Sequence, residues 1–153
     1  MPKFEIVPTI HAHILPVAFN LRECDLIELA ASSGRSALTA INDGFARSVR
    51  CWTALVDDKP VAIFGVAPIS ILTGEAAPWL LATDGAHKVR KRFLIESMSY
   101  VKEMLSLYPV LRNAVHVDNK ASIRWLNWLG FDILDALPIG VDGALFHPFE
   151  MRG

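Results

Sequence analysis

The chain has 153 residues, 52% of them hydrophobic and 20% charged. A chain of that length can bury roughly 70% of its unfolded surface without a disulfide or metal staple, and this composition excludes general disorder. Fifteen Lys and Arg against sixteen Asp and Glu leave a net charge of -1, so no global field draws the protein onto nucleic acid or an anionic membrane. Two cysteines, Cys24 and Cys51, are too few for a disulfide framework, lack the paired spacing of a zinc site, and read as reduced thiols of a cytoplasmic protein.

The residues from Met1 to Glu5 carry charge on both sides of Phe4 and do not read as a signal peptide. Phe4 to Thr9 is β-rich and predicts a first strand. Ala12 to Ser48 favours helix, broken at Ser32, Ser33 and Gly34, and fits two short helices. Cys51 to Val56 and Val61 to Val66 predict a hairpin turning at Asp57 to Pro60. The apolar run Pro60 to Gly74 is broken by Gly65 and Pro68, and it is shorter than the about 20 residues that cross a bilayer.

A third strand is expected at Trp79 to Thr83, after Pro78. It leads into the basic stretch His87, Lys88, Val89, Arg90, Lys91, Arg92 and a helix that Pro109 stops. The four, three, four spacing of Leu94, Met98, Val101 and Leu105 predicts the buried face of that helix. Ala114 to Val117 reads as a strand. Lys120 to Leu129 reads as a helix capped by Asn119 and ended by Gly130, and Ile133 to Leu137 and Ala144 to Phe149 read as closing strands. The order predicts one α+β domain over residues 1 to 153, with a mixed, mostly antiparallel sheet and flanking helices. Its single parallel unit is β-α-β, with a ligand site at the carboxyl ends of the two parallel strands.

Asn119-Lys120-Ala121-Ser122, followed by Leu129-Gly130-Phe131, resembles the Asn-x-x-Ala to Leu-Gly-Phe segment of the GNAT superfamily of acyl-CoA-dependent N-acyltransferases, over about residues 4 to 150. The basic run before the long helix and Ser122-Ile123-Arg124-Trp125-Leu126 are similar also to small acetyltransferase-like proteins of short-tailed bacteriophages, one of them virion-associated. The resemblance implies acetyl-CoA as cosubstrate and a primary amine as acceptor. It implies main-chain pairing of Leu81, Ala82 and Thr83 with the pantetheine arm, a pyrophosphate near Lys88, Val89, Arg90, Lys91 and Arg92, and contacts from Asn119 and Ser122.

Two departures stand out. Arg90 and Arg92 occupy positions where the family places small residues that let backbone amides close on the pyrophosphate, so the contact here would rest on guanidinium charge. Leu126 stands where many members carry a tyrosine that protonates the leaving thiolate.

His116 and Asp118 have the same-face spacing of a strand and, with Ser122, are the candidate catalytic residues. His116 would act as a base for the acceptor ammonium, its plainer alternative being a satisfied core histidine. Glu75 and Asp84 flank the third strand as further carboxylates, with turn chemistry as the plainer reading. His11 and His13 lack a third ligand, so no metal is expected. A net charge of -1 and the absence of an interleaved aromatic platform disfavour nucleic acid. Two functions remain: an acetyl-CoA-dependent N-acetyltransferase in the cytoplasm, or a catalytically lapsed phage protein of the same fold acting in the virion or on a host protein. Oligomeric state is open.

Overall fold

The computed structural model describes residues 2–153. Seven strands form one sheet in the order β1-β2-β3-β4-β5-β7-β6. They are β1 Phe4–Pro8, β2 Arg50–Val56, β3 Lys59–Ser70, β4 Glu75–Ala82, β5 Val110–His116, β6 Asp132–Ile133 and β7 Phe146–Arg152. Every neighbouring pair is antiparallel except β4 and β5. Five α-helices flank the sheet: α1 Ile14–Ala18, α2 Glu23–Ser32, α3 Ala37–Arg47, α4 Arg90–Leu107 and α5 Lys120–Leu129. Among the described residues no helix is long and apolar enough to cross a membrane.

The alternation of strand side chains divides the core. One cluster joins Trp52, Phe64, Phe93, Met104 and Phe149, with Trp125 and Leu126 packed against it, and sits under α4 and α5. The other joins Ile14, Val17, Ile41, Ile63 and Leu81 and sits under α1 and α3. Neighbours such as Ile63 and Phe64 therefore point to opposite faces, as period two requires.

The β2–β3 hairpin turns on Asp57 and Asp58, whose φ values of 48° and 66° are those of a two-residue type I′ turn. Pro60 sits where the register shifts beyond Ala54, a bulge that relieves the ladder of an amide proline cannot supply. As the sequence predicts, the Asn119 side chain caps α5 by accepting from Ser122 N. Gly130 ends that helix at φ +99°, with Phe131 N returning to Leu126 O.

Several expectations are corrected. The region expected to hold two helices contains a 3-10 turn at His11–His13 and three α-helices, because Asn20 to Arg22 form a break the composition does not mark. The buried face of α4 is Phe93, Ser97 and Met104, while Met98 is 42% exposed and Leu94, Val101 and Leu105 are only half-buried. The four-residue spacing from Leu94 to Met98 is repeated by Phe93 to Ser97. Ser97 takes a core position by bonding Leu94 O and the Trp125 indole, a role apolar counting cannot see. The closing strands, expected at Ile133 to Leu137 and Ala144 to Phe149, are at Asp132–Ile133 and Phe146–Arg152. β6 is only two residues long, and β7 runs to Arg152.

Candidate active site

The site begins where β4 and β5 separate. The two strands are parallel neighbours, as expected, but they pair only at Glu75 with Val110 and Ala76 with Leu111. Trp79 to Ala82 and Ala114 to His116 lie beyond the pairing, on the diverging part. Pro78 marks the point of parting. Thr83 N donates to Val61 O, so the alternation of the antiparallel ladder turns Leu81 and Trp79 toward β3 and turns Ala76, Pro78, Leu80 and Ala82 toward β5. Pro78 has no N–H to offer β5, and its carbonyl accepts instead from the Asn113 side-chain amide at 2.8 Å. From there the strands part. At their paired ends Arg112 bridges to Glu75 at 2.6 Å, and the Thr73 hydroxyl together with that guanidinium holds the Glu75 carboxyl below the ordinary range. Glu75 is thus an ion-pair partner at the closed end.

The divergence opens a cavity of about 340 Å³ that passes through the sheet. Glu28, Ala40 and Gly44 line it from α2 and α3, Trp79 and Leu80 from β4, and Tyr100, Trp125 and Leu126 from α4 and α5. Gly44 is required by close approach: a Cβ there would lie 2.7 Å from the Trp79 ring, which is itself fixed by Trp79 Nε1 donating to Ser48 Oγ at 2.7 Å. On the other face Trp125 Nε1 donates to Ser97 Oγ at 3.2 Å, tying α5 to α4 across the cavity.

At the open end α2 crosses between the two strands. Asp25, 1% exposed, accepts Ala82 N at 2.9 Å, and Arg22 N donates to Ala82 O at 2.9 Å. Arg22 also grips both Asp25 oxygens, at 3.0 and 2.9 Å, which offsets the cost of burying that carboxylate. One turn further on, Glu28 Oε1 accepts His116 N at 2.7 Å and Asn119 Nδ2 at 3.3 Å. Burial pushes the Glu28 carboxyl up, partly opposed by these two donors.

The sequence-derived candidates fall into three places. Ala82 faces the cleft with both main-chain groups engaged by α2, whereas Leu81 and Thr83 turn their main chain to β3. His116 is buried and ends β5; its Nδ1 accepts from Asp118 N at 3.3 Å and its ring meets Phe146 edge-on. Asp118 is exposed in the following turn, so the two do not share a strand face. Asn119 is fully buried beside them, and half-buried Ser122 lines the cavity.

The basic run does not line the cavity. Residues Asp84–Val89 form a 3-10 helix continuous with α4, and Arg90 N donates to His87 O. Arg90 Nη1 donates to His87 O at 3.0 Å, while Arg92 lies over the Phe4 ring at 5.1 Å and pairs with Glu96. Val89 is buried; Lys88 and Lys91 are exposed. Asp84, exposed, begins that 3-10 helix.

His13 bonds Thr53, and His11 packs edge-on against Phe45. Among the described residues no three His, Cys, Asp or Glu side chains gather as a metal-holding group. Both cysteines are free and half-buried. Glu28 is the site residue that sequence reasoning missed. Its signal was an acidic side chain one turn from Asp25, which looks the same as a solvated position until α2 is placed.

A family model described as bacteriophage T7, probable scaffold protein Gp13, matches residues 63–135, a little under half of the chain, which includes β4, α4, β5 and α5. No curated protein matches the sequence. Solved structures do match over nearly the whole length. Ribosomal-protein-alanine N-acetyltransferase from Brucella melitensis is 14% identical, with 97% of this chain and 99% of that one covered and a TM-score of 0.71. An acetyltransferase of the GNAT family from Streptococcus pneumoniae is 11% identical, with coverage of 98% and 99% and a TM-score of 0.66. The protein yncA of Salmonella typhimurium, solved with acetyl-CoA, is 12% identical, with coverage of 97% and 93% and a TM-score of 0.68. Together with the sheet order and the parting of β4 from β5, these likenesses establish that the chain has the GNAT acyltransferase fold.

Proposed function

We propose that the protein, acting as one domain, is an N-acyltransferase that takes an acyl-CoA, acetyl-CoA in the first instance, and passes the acyl group to a primary amine. The observation that carries this reading is the cavity through the sheet, lined from α4 and α5 on one face and from α2 and α3 on the other. Two substrates can then meet at one point from opposite sides. This is what direct transfer needs, since alignment of the reacting groups supplies much of the rate. The acetyltransferase names of the fold neighbours support it.

In this reading a CoA thioester lies along the cleft-facing edge of β4, where Leu80 lies between the carbonyl of Pro78 and the engaged Ala82. The exposed Lys88 and Lys91, with Arg90, supply positive charge for its phosphates. Glu28, its carboxyl held high by burial, accepts the proton an ammonium acceptor must lose. His116, Asp118 and Ser122 serve that end of the site from the β5–α5 turn. With Leu126 in the cavity wall in place of a hydroxyl, the thiolate leaves without a side-chain acid. Transfer to a panel of primary amines, followed as release of free CoA thiol, tests the reading. Acceptor-dependent thiol release is expected, and thiol release that no amine accelerates would count against it.

A second reading is favoured by the phage family model and by the engagement of Ala82 with α2: a protein of this fold whose chemistry has lapsed and which serves a phage particle or a host partner. Chain found in purified virions, together with no acyl transfer, would select it.

A further inference from the structure

We infer that the amino-terminal half of α2 is an internal stand-in for the ligand on the edge of β4, a latch that must leave before an acyl-CoA can pair there; this rests on the acyl-CoA reading above. Beyond Pro78 the open edge of β4 presents Leu80 and Ala82. At Ala82 the chain itself supplies what an added strand would: Arg22 N donates to Ala82 O, Asp25 accepts Ala82 N, and Leu21 bridges Thr83 in antiparallel sense. An added strand and this segment need the same N–H and C=O, so they exclude each other.

The helix that carries the latch touches both lips of the cleft. Asp25 holds β4 and, one turn along the same helix, Glu28 holds the end of β5 through His116 N and the cap of α5 through Asn119. Asp25 and Glu28 are three residues apart, so the first turn of α2 can leave Ala82 while Glu28, one turn on, stays at the β5–α5 turn where the transfer needs it. That helix is the right element to move, because Leu26 and Ile27 on its far side are exposed rather than packed. Since a ligand sees only the open fraction of molecules, its apparent affinity is reduced by that fraction, and loosening the latch raises affinity without any new contact.

The test measures CoA binding by calorimetry for the wild type, Asp25→Asn, and the paired replacement Arg22→Met with Asp25→Leu, which removes both buried charges together and so leaves neither unpaired. Circular dichroism and the melting midpoint verify folding, and hydrogen exchange reads the Arg22 amide in the wild type with and without CoA. Folded variants should bind CoA about tenfold or more tightly than the wild type, for a latch open in about a tenth of molecules or fewer. The Arg22 amide should lose protection when CoA binds. Equal affinity in all three proteins, or bound CoA with the Arg22 amide still protected, overturns the latch while leaving the acyl-CoA reading standing. Should the folded latch variants and the wild type all fail to bind millimolar CoA, the acyl-CoA reading falls and the latch falls with it.

Discussion

Replacing Phe93 by Ala should cost far more stability than replacing Met98, although sequence periodicity alone ranks Met98 as core. The Phe93 side chain is 5% exposed and meets Phe4, Phe64 and Trp125 at ring-centroid distances of 6.0, 5.5 and 5.3 Å. Phe to Ala in a core typically costs about 3 to 5 kcal/mol. Three tilted or edge-on contacts of a type worth about 0.5 to 1.5 kcal/mol each beyond burial place this case toward the upper end. Met98 is 42% exposed, and surface changes of that kind stay within about 0.5 kcal/mol. For a chain of this size about 2 to 4 °C in Tm accompanies each kcal/mol, so Phe93→Ala should melt about 6 to 20 °C lower and Met98→Ala within about 2 °C of the wild type. Urea unfolding of both variants gives the free energies directly. Comparable losses in the two would mean that α4 is rotated from the orientation described.

Gly44→Ala should lower stability as well. The new methyl gains about 1 kcal/mol of helix propensity, but it must enter within 2.7 Å of a Trp79 ring pinned by Ser48, an overpacking of the kind that costs about 1 to 3 kcal/mol; a rise in Tm would show that the ring yields. Glu28 should make stability fall with rising pH. Its carboxyl titrates above the ordinary range when folded, so its contribution is complete below the unfolded value and is lost as pH climbs through the folded one. The stability difference between wild type and Glu28→Gln should therefore shift in the variant's favour as pH rises above the ordinary carboxylate range, and a difference independent of pH would contradict the burial of the charge. Trp125→Phe keeps the ring against Phe93 but removes the donor to Ser97, at about 1 kcal/mol. Denaturation of Trp125→Phe beside Ser97→Ala, which breaks the same bond, should give losses that do not add; fully additive losses would mean the bond contributes nothing.

The fold was legible from the chain because its strongest local signals are also its global ones. The Asp57-Asp58 turn between two β-branched runs, the stop at Pro109, the Asn119 cap and the Gly130 end each need one residue type in one place. The cleft was less legible because it opens at a proline inside a strand. Pro78 reads as a boundary, yet in β4 it faces the neighbour from which the strand departs, which is where the missing amide matters. Ala82 carries no signal at all, since its role is main chain. Its partners Arg22 and Asp25, like Glu28, lie about fifty to ninety residues away in sequence from what they hold, and no periodicity encodes such contacts. The basic run was read as one charged cluster. In the structure all four cations are exposed, but Arg92 turns to Phe4 and Glu96 and Arg90 bonds the His87 carbonyl, so they do not converge as one cluster.

Titration of the wild-type protein with CoA at low and high salt tests the central claim most directly. The account predicts saturable one-to-one binding that weakens as salt rises, because Lys88, Lys91 and Arg90 would meet the phosphates with exposed side-chain charges, which physiological salt screens beyond about 8 Å. The absence of heat at millimolar CoA in both the wild type and the folded latch variants would contradict the claim that this cleft takes an acyl-CoA.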